Sequence, residues 1–171
     1  MKWIKVAQCA EKWEPLATPS PFQAMFAGTH QLTVDDKGRL AIPARFRAQL
    51  VELCDSQLVI TMGPKPCIEI YPAPEFQRLA QDIQNMEDRR KADLLKEVFI
   101  GFAVETEVDK QGRVLLPPML RKRARLNGSA MLMGQFSRFD VWAEDVWNER
   151  FGEGPGTALA SLDDAFLTLK R

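Results

Sequence analysis

The stretch that decides the fold occurs twice. VDDKGRLAIPARFR runs from Val34 to Arg47, and VDKQGRVLLPPMLR runs from Val108 to Arg121. The second copy begins at 108 where the first begins at 34, an offset of 74 that holds throughout. Six of the fourteen positions are identical: Val, Asp, Gly, Arg, Pro and Arg. Self-similarity at one fixed offset marks a duplicated structural unit. The likeness extends outward on both sides. Upstream, Phe26-Ala27-Gly28 matches Phe99-Ile100-Gly101, with one extra residue before the second Asp. Downstream, QLVITMG (57–63) resembles AMLMGQF (130–136), and IEIYPAPEF (68–76) resembles FDVWAEDVW (139–147).

Local chemistry gives each half the same order: strand, turn, short strand, helix, strand, strand, helix. His30, Leu32 and Val34 alternate towards Asp35, as Val104, Thr106 and Val108 do towards Asp109, which is the strand period. Asp-x-x-Gly-Arg is a turn, because the Asp side chain can accept from backbone N–H groups and Gly can take φ > 0. Asp35, Gly38, Asp109 and Gly112 are therefore expected to structure the two turns. Leu40 and Ile42 alternate on a returning strand. Pro43 and Pro117 suit the first turn of a helix, where a missing N–H costs nothing. Phe46, Leu50 and Leu53 line one helical face, with Leu120 and Ala124 at the matching positions, and Asn127-Gly128 stops the second helix. Tyr71 and Trp142 end the last strand of each half. Met131, Met133, Trp142 and Trp147 read as core, and His30 is assigned no role.

The flanks are simpler. Residues 1–24 lack a secretory h-region, since Lys5, Glu11 and Lys12 break the apolar run. The unit is expected to begin at Met25, with residues 1–24 a poorly ordered extension: a start-site artefact or a frayed arm. Phe76, Leu79, Ala80, Ile83 and Met86, continued by Leu94, Leu95 and Val98, predict a helical connector in two pieces over residues 75–97. After Phe151, GEGPG is a linker, and Ser161 caps a short amphipathic tail bearing Leu162, Phe166 and Leu169.

Composition narrows the function. The chain has 171 residues, 46% hydrophobic and 27% charged, an ordinary globular make-up that excludes a disordered tail or a collagen-like fibre. No stretch approaches the length of a transmembrane helix. The single histidine, His30, removes designs that need two and weakens a Ser-His-Asp arrangement. P-loop, G-x-G-x-x-G, H-E-x-x-H and G-x-S-x-G patterns are absent, so no catalysis and no cofactor are expected. Cys9, Cys54 and Cys67 form no C-x-x-C pair and read as reduced thiols in a cytoplasmic protein, with no metal site.

Net charge is zero, so a nucleic-acid role must rest on local charge. From Asp109 to Arg125 six bases face one acid, and from Asp35 to Leu50 four bases face two acids. Two basic turn-helix units in a neutral chain fit a face for a polyanion. Arg39 and Arg113 hold the same place, one residue after a glycine, where core packing requires no arginine.

DDKGRLAIPARFR, DKQGRVLLPPMLR and GQFSRFDVW resemble the MraZ family of bacterial transcriptional regulators, which carry two Asp-x-x-x-Arg motifs in tandem SpoVT-AbrB units. The resemblance runs from Met25 to about Phe151. It implies an α+β fold in which two AbrB-like swapped-hairpin β units form a small β-barrel with flanking and connecting helices. The units are residues 29–76 and 105–148, with a connector at 77–104 and a C-terminal linker and helix at 149–171. It also implies a homo-oligomeric ring in the cytoplasm, associated with the nucleoid. Such a ring would bind double-stranded DNA at G-rich direct repeats and repress the division and cell-wall gene cluster, its own gene included. Arg39 and Arg113 are then the reading residues, since an Arg fork matches the two major-groove acceptors of guanine. Lys37 and Lys110 are expected on phosphates. Arg45, Arg47, Arg121 and Lys122 are further DNA-binding candidates, or partners of acids at the ring interface. The competing expectation is an antitoxin-like unit that acts mainly through a protein partner.

Overall fold

The computed structural model describes residues 25–154 and 156–168; the expectations for residues 1–24 and for Leu169 lie outside them. Each repeat's alternating strand, glycine turn and short returning strand form as the residue pattern requires. The first repeat gives β1 (Phe26–Thr33), β2 (Arg39–Ala41), α1 (Ala44–Cys54), β3 (Gln57–Met62), β4 (Ile68–Pro72) and α2 (Ala73–Gln84). A connector follows: α3 (Arg89–Leu95), capped by the Asp88 carboxylate, then a π-helical turn, Lys96–Ile100. The second repeat gives β5 (Val104–Glu107), β6 (Arg113–Leu115), α4 (Pro118–Arg123), β7 (Ser129–Phe136), β8 (Arg138–Ala143) and α5 (Glu144–Phe151), and the tail ends in α6 (Leu162–Leu167). No helix among the described residues is long and apolar enough to cross a membrane.

The two repeats interleave. Six antiparallel strands form one sheet in the order β1-β7-β8-β4-β3-β5, and β2 pairs with β6 in a separate two-stranded ribbon. β1 leaves its own repeat to pair with β7, and β5 does the reciprocal, pairing with β3. The two repeats have the same order of elements, while three strands from each share one sheet and one from each forms the ribbon. The pairing is not the closed barrel expected from the resemblance. Among the described residues β1 and β5 end the sheet as its two edges, and an isolated Val34–Leu40 bridge joins the first turn's arms.

One core serves both repeats. Phe46 is fully buried against Phe26 and Phe139, with ring centroids 6.0 and 4.9 Å away, and His30 packs edge-on to it at 5.3 Å. Leu40, Val114, Leu116 and Leu120 extend this cluster beneath the ribbon.

Four local expectations need correction. Leu53 is about half exposed; the inner face of α1 passes through Phe46 and Leu50 to Cys54, whose Sγ lies 3.2 Å from the Leu50 carbonyl oxygen. Pro43 and Pro117 sit one residue ahead of their helices, where their carbonyls accept the first helical hydrogen bonds. α4 stops before Asn127-Gly128. Arg125 takes φ 54°, its N–H donates to the Lys122 carbonyl at 3.3 Å and Leu126 N–H donates to the Arg121 carbonyl at 2.9 Å, the paired bonds of a left-handed helix end. Finally, Phe99-Ile100-Gly101 does not repeat the role of Phe26-Ala27-Gly28. Phe26 opens a strand of eight residues, whereas Phe99 lies in the π-helical turn and β5 has only four. There the connector occupies the chain that would lengthen β5: Phe99 stacks on Phe76 at 5.3 Å and its carbonyl accepts the Thr61 hydroxyl.

Removing the ring that joins the two repeats should be costly. Phe46→Ala is expected to lower unfolding free energy by about 3–5 kcal/mol in a denaturant titration. Leu53→Ala, on the exposed side of the same helix, should stay within about 0.5 kcal/mol of the parent.

Candidate nucleic-acid interface

The ribbon has two faces because side chains alternate along a strand. Leu40 and Val114 oppose each other and point inward, both fully buried. Arg39, Ala41, Arg113 and Leu115 form the outward face; Arg39 opposes Leu115 and Ala41 opposes Arg113. Both arginines therefore lie on one outward surface, placed diagonally across the two strands.

Each arginine is held by the aspartate that opens its turn. Asp35 Oδ1 accepts from the N–H groups of Lys37 (3.0 Å) and Arg39 (2.9 Å), and its Oδ2 accepts from Arg39 Nε (2.8 Å) and Nη2 (2.7 Å). Asp109 repeats the pattern with Gln111 N–H (2.8 Å), Arg113 N–H (2.9 Å), Arg113 Nε (3.1 Å) and Nη2 (3.0 Å). The Asp-x-x-x-Arg spacing is what lets one carboxylate close the turn with one oxygen and orient the guanidinium with the other. The Arg39 backbone N–H, foremost, with the guanidinium beside it, holds the Asp35 carboxyl below its usual value, and Arg113 does the same for Asp109. Gly38 and Gly112, at φ 83° and 77°, take the left-handed conformation that the turn needs.

The remaining candidates divide. Lys37 and Lys110 are exposed in the turns, and Arg45 and Lys122 are exposed on α1 and α4, with the Arg45 guanidinium 4.9 Å from the Phe46 ring centroid. Arg47 and Arg121 are half-buried and lie across the opposite repeat's turn: Arg121 covers Gly38, and Arg47 covers Gly112. The turns also bond across the repeats. Ile42 N–H donates to the Gly112 carbonyl at 2.8 Å, and Leu116 N–H donates to the Gly38 carbonyl at 2.9 Å.

Sequence reasoning missed a second polar cluster, at the middle of the sheet. Glu69 and Asp140 are buried neighbours on β4 and β8. Asp140 accepts from Arg138 Nε at 2.9 Å and lies 3.4 Å from Lys65 Nζ, while Glu69 accepts from the Tyr71 hydroxyl at 2.8 Å. Ligand atoms of Cys67, Glu69 and Asp140 lie within 4.8 Å of one another. Two cations already face the two carboxylates. Burial, with the nearby acids adding to it, pushes the Cys67 thiol up to about 12, so it stays protonated at neutral pH. The cluster reads as a buried ion-pair network. The only sequence signal was an acid at the same strand position in IEIY and FDVW.

Comparison with known proteins settles the family. The model described as "MraZ protein, putative antitoxin-like" matches residues 25–97 and 99–153. The chain belongs to the MraZ family. The "Transcriptional regulator MraZ" of Thioalkalivibrio sulfidiphilus (strain HL-EbGR7) is 42% identical over 142 residues, covering 80% of this chain and 95% of the relative. That of Pseudomonas aeruginosa (strain LESB58) is 41% identical over 126 residues, 72% of this chain and 83% of the relative. That of Alcanivorax borkumensis is 42% identical over 137 residues, 79% and 94% respectively. These relatives are named as regulators, not as enzymes. The matched stretch of the MraZ model takes in both Asp-Arg turns and the whole ribbon.

The lowered carboxyl values fix the sign of a pH effect. A group whose folded pKa is depressed stabilises the fold above its unfolded value and loses that contribution as pH falls through its folded value. Acid titration of thermal stability should therefore show wild type weakening below the ordinary Asp range, about 3.9. The Asp35→Asn/Asp109→Asn variant should start lower at neutral pH and fall less steeply. Parallel curves would show that the turns do not depend on the ionised aspartates.

Proposed function

We propose that this MraZ-family chain is a sequence-specific DNA-binding transcriptional regulator whose reading surface is the outward face of the β2–β6 ribbon. The observation that carries this reading is the pair of aspartate-held arginines on that face. The major groove admits a two-stranded ribbon, and an arginine fork matches O6 and N7 of guanine. Diagonal neighbours on such a ribbon are about 7–8 Å apart, close to two base-pair steps of about 3.4 Å. A guanidinium has five N–H donors. With Nε and Nη2 directed at the aspartate, the outer edge of each fork stays available to a base. Lys37, Lys110, Arg45 and Lys122 contact phosphates, which position the protein without specifying sequence.

One Arg–guanine pair discriminates by about 1–3 kcal/mol, too little to select an operator. Repetition supplies the rest. The chain assembles into a homo-oligomeric ring of AbrB-like exchanged hairpins that engages G-rich direct repeats by multivalency. It represses the division and cell-wall cluster, including its own gene, and works in the cytoplasm on the nucleoid. No catalytic step is assigned to it. A second reading, an antitoxin-like unit bound to a protein partner, draws on Leu159, Leu162, Phe166 and Leu167, apolar residues exposed around α6.

Titration against a G-rich direct-repeat duplex and a scrambled duplex at two salt concentrations separates the readings. Wild type is expected to prefer the repeats. Arg39→Ala and Arg113→Ala should each weaken repeat binding by about tenfold to a hundredfold and reduce the preference, with the oligomer unchanged in size. Equal, strongly salt-sensitive binding to both duplexes would leave only phosphate attraction. Absence of binding would favour the protein-partner reading.

A further inference from the structure

We infer that Arg47 and Arg121 act as positioning residues in a crossed pattern: Arg47 sets the turn that carries Arg113, and Arg121 sets the turn that carries Arg39. The inference rests on Arg39 and Arg113 as the DNA-contacting groups, but its geometry stands without DNA.

The crossing follows from the ribbon. β2 and β6 are antiparallel, so the end of β2 at Ala41 lies beside the start of β6 at Arg113. The next residue, Ile42, donates its N–H to the carbonyl of Gly112. The chain then turns at Pro43 into α1, whose fourth residue is Arg47. One helical turn brings that side chain back over the glycine that Ile42 has just bonded. A Cβ built on Gly112 would lie 2.6 Å from Arg47 Cδ and 2.8 Å from its Cζ. The second repeat does the same in reverse. Leu116 bonds the Gly38 carbonyl, Pro117 leads into α4, and Arg121, its fourth residue, covers Gly38; a Cβ there would lie 2.6 Å from Arg121 Cζ. Each turn glycine therefore serves twice, once for its positive φ and once as the bare surface on which the opposite guanidinium lies.

Neither arginine is placed as a simple phosphate ligand. Arg47 Nε is buried with no hydrogen-bond partner among the described residues. Arg121 Nε donates to the Leu116 carbonyl at 3.1 Å, on the residue whose own N–H bonds Gly38. The planar guanidinium covers the turn as a flat lid, which an ammonium on a flexible stem cannot reproduce. The consequence is a coupled pair of turns. Loosening one helix's arginine disturbs the reading residue of the other repeat.

The test uses the full chain, first without DNA. Arg47→Ala is expected to speed backbone amide exchange at residues 110–113 and to raise the Asp109 carboxyl titration towards its ordinary value, leaving residues 36–39 and Asp35 as in wild type. Arg121→Ala should give the mirror result. Arg47→Lys, a milder change that keeps the charge, should also loosen residues 110–113. A change confined to the arginine's own repeat, a change spread equally over both turns, or no change would each overturn the inference. Repeat-duplex binding then adds a second readout. Arg47→Ala with Arg113→Ala should bind within about twofold of Arg113→Ala alone, while Arg47→Ala with Arg39→Ala should multiply the two losses. Multiplicative losses with both partners, together with full rescue by Arg47→Lys, would make Arg47 a direct phosphate contact and overturn the inference. Failure of every variant and of wild type to bind DNA would reject the regulator reading, while the exchange pattern without DNA would still decide the crossing.

Discussion

The rest of the structure depends on the pairing of two three-residue strands, β2 and β6, one from each repeat. Strands this short are too weak to persist as an isolated pair in water. They are held because Leu40 and Val114 are fully buried in the core that both repeats share. The same alternation that sends those two inward sends Arg39 and Arg113 outward. One constraint thus creates the core beneath the ribbon and the basic surface above it. The exchange of β1 and β5 between repeats is the same constraint at larger scale: neither repeat contains all the partners that its own strands need.

The aspartate–arginine pairs have a role that magnitude helps to define. Arg39 and Arg113 keep 29% and 26% of their side-chain surface, and Asp35 and Asp109 keep 37% and 40%. Ion pairs this accessible contribute only about 0–1 kcal/mol to stability. Their value lies in orientation, because a carboxylate that also closes the turn fixes where the guanidinium points. The arrangement has an electrostatic cost. Arg39 and Arg113 each face a carboxylate, so the attraction of either for a polyanion is largely cancelled. On the proposed DNA-binding reading, long-range attraction falls to the exposed bases of the turns and helices, among them Lys37, Lys110, Arg45 and Lys122. On that reading, attraction and readout fall to different residues.

Much of the fold could be read in the sequence because duplication and strand period are local signals. The offset between Val34 and Val108 and the alternation ahead of Asp35 and Asp109 placed the elements correctly, and the prolines placed α1 and α4 to within one residue. What was not legible is which strand pairs with which. Side-chain pattern fixes the face a residue takes, but β1 could satisfy the same alternation against its own repeat or the other one. Leu53 was misplaced because helical spacing allows either 53 or 54 to follow Leu50, and only packing chose Cys54. The end of α4 was misplaced because Arg125 takes a left-handed conformation that glycine normally marks. The turns' own residues were legible from turn chemistry. The packing of Arg47 on Gly112 and of Arg121 on Gly38 was not, since nothing in a linear sequence reports a contact between repeats.

This last contact changes what the duplication means for recognition. If the two turns were independent, tandem repeats would supply two heads joined by a flexible tether, free to settle at any spacing. The ribbon instead welds them: the strands share hydrogen bonds, each glycine carbonyl serves the other repeat, and each helix covers the other turn. The distance between Arg39 and Arg113 is then a property of β geometry, with little freedom to adapt. A rigid pair gains when the target matches its spacing, because no conformational freedom remains to be lost on binding. It loses when the target does not match, because it cannot adjust. If the chain reads DNA as proposed, selectivity within one chain comes from that rigidity, and selectivity between operators from the number of identical chains brought to the same DNA.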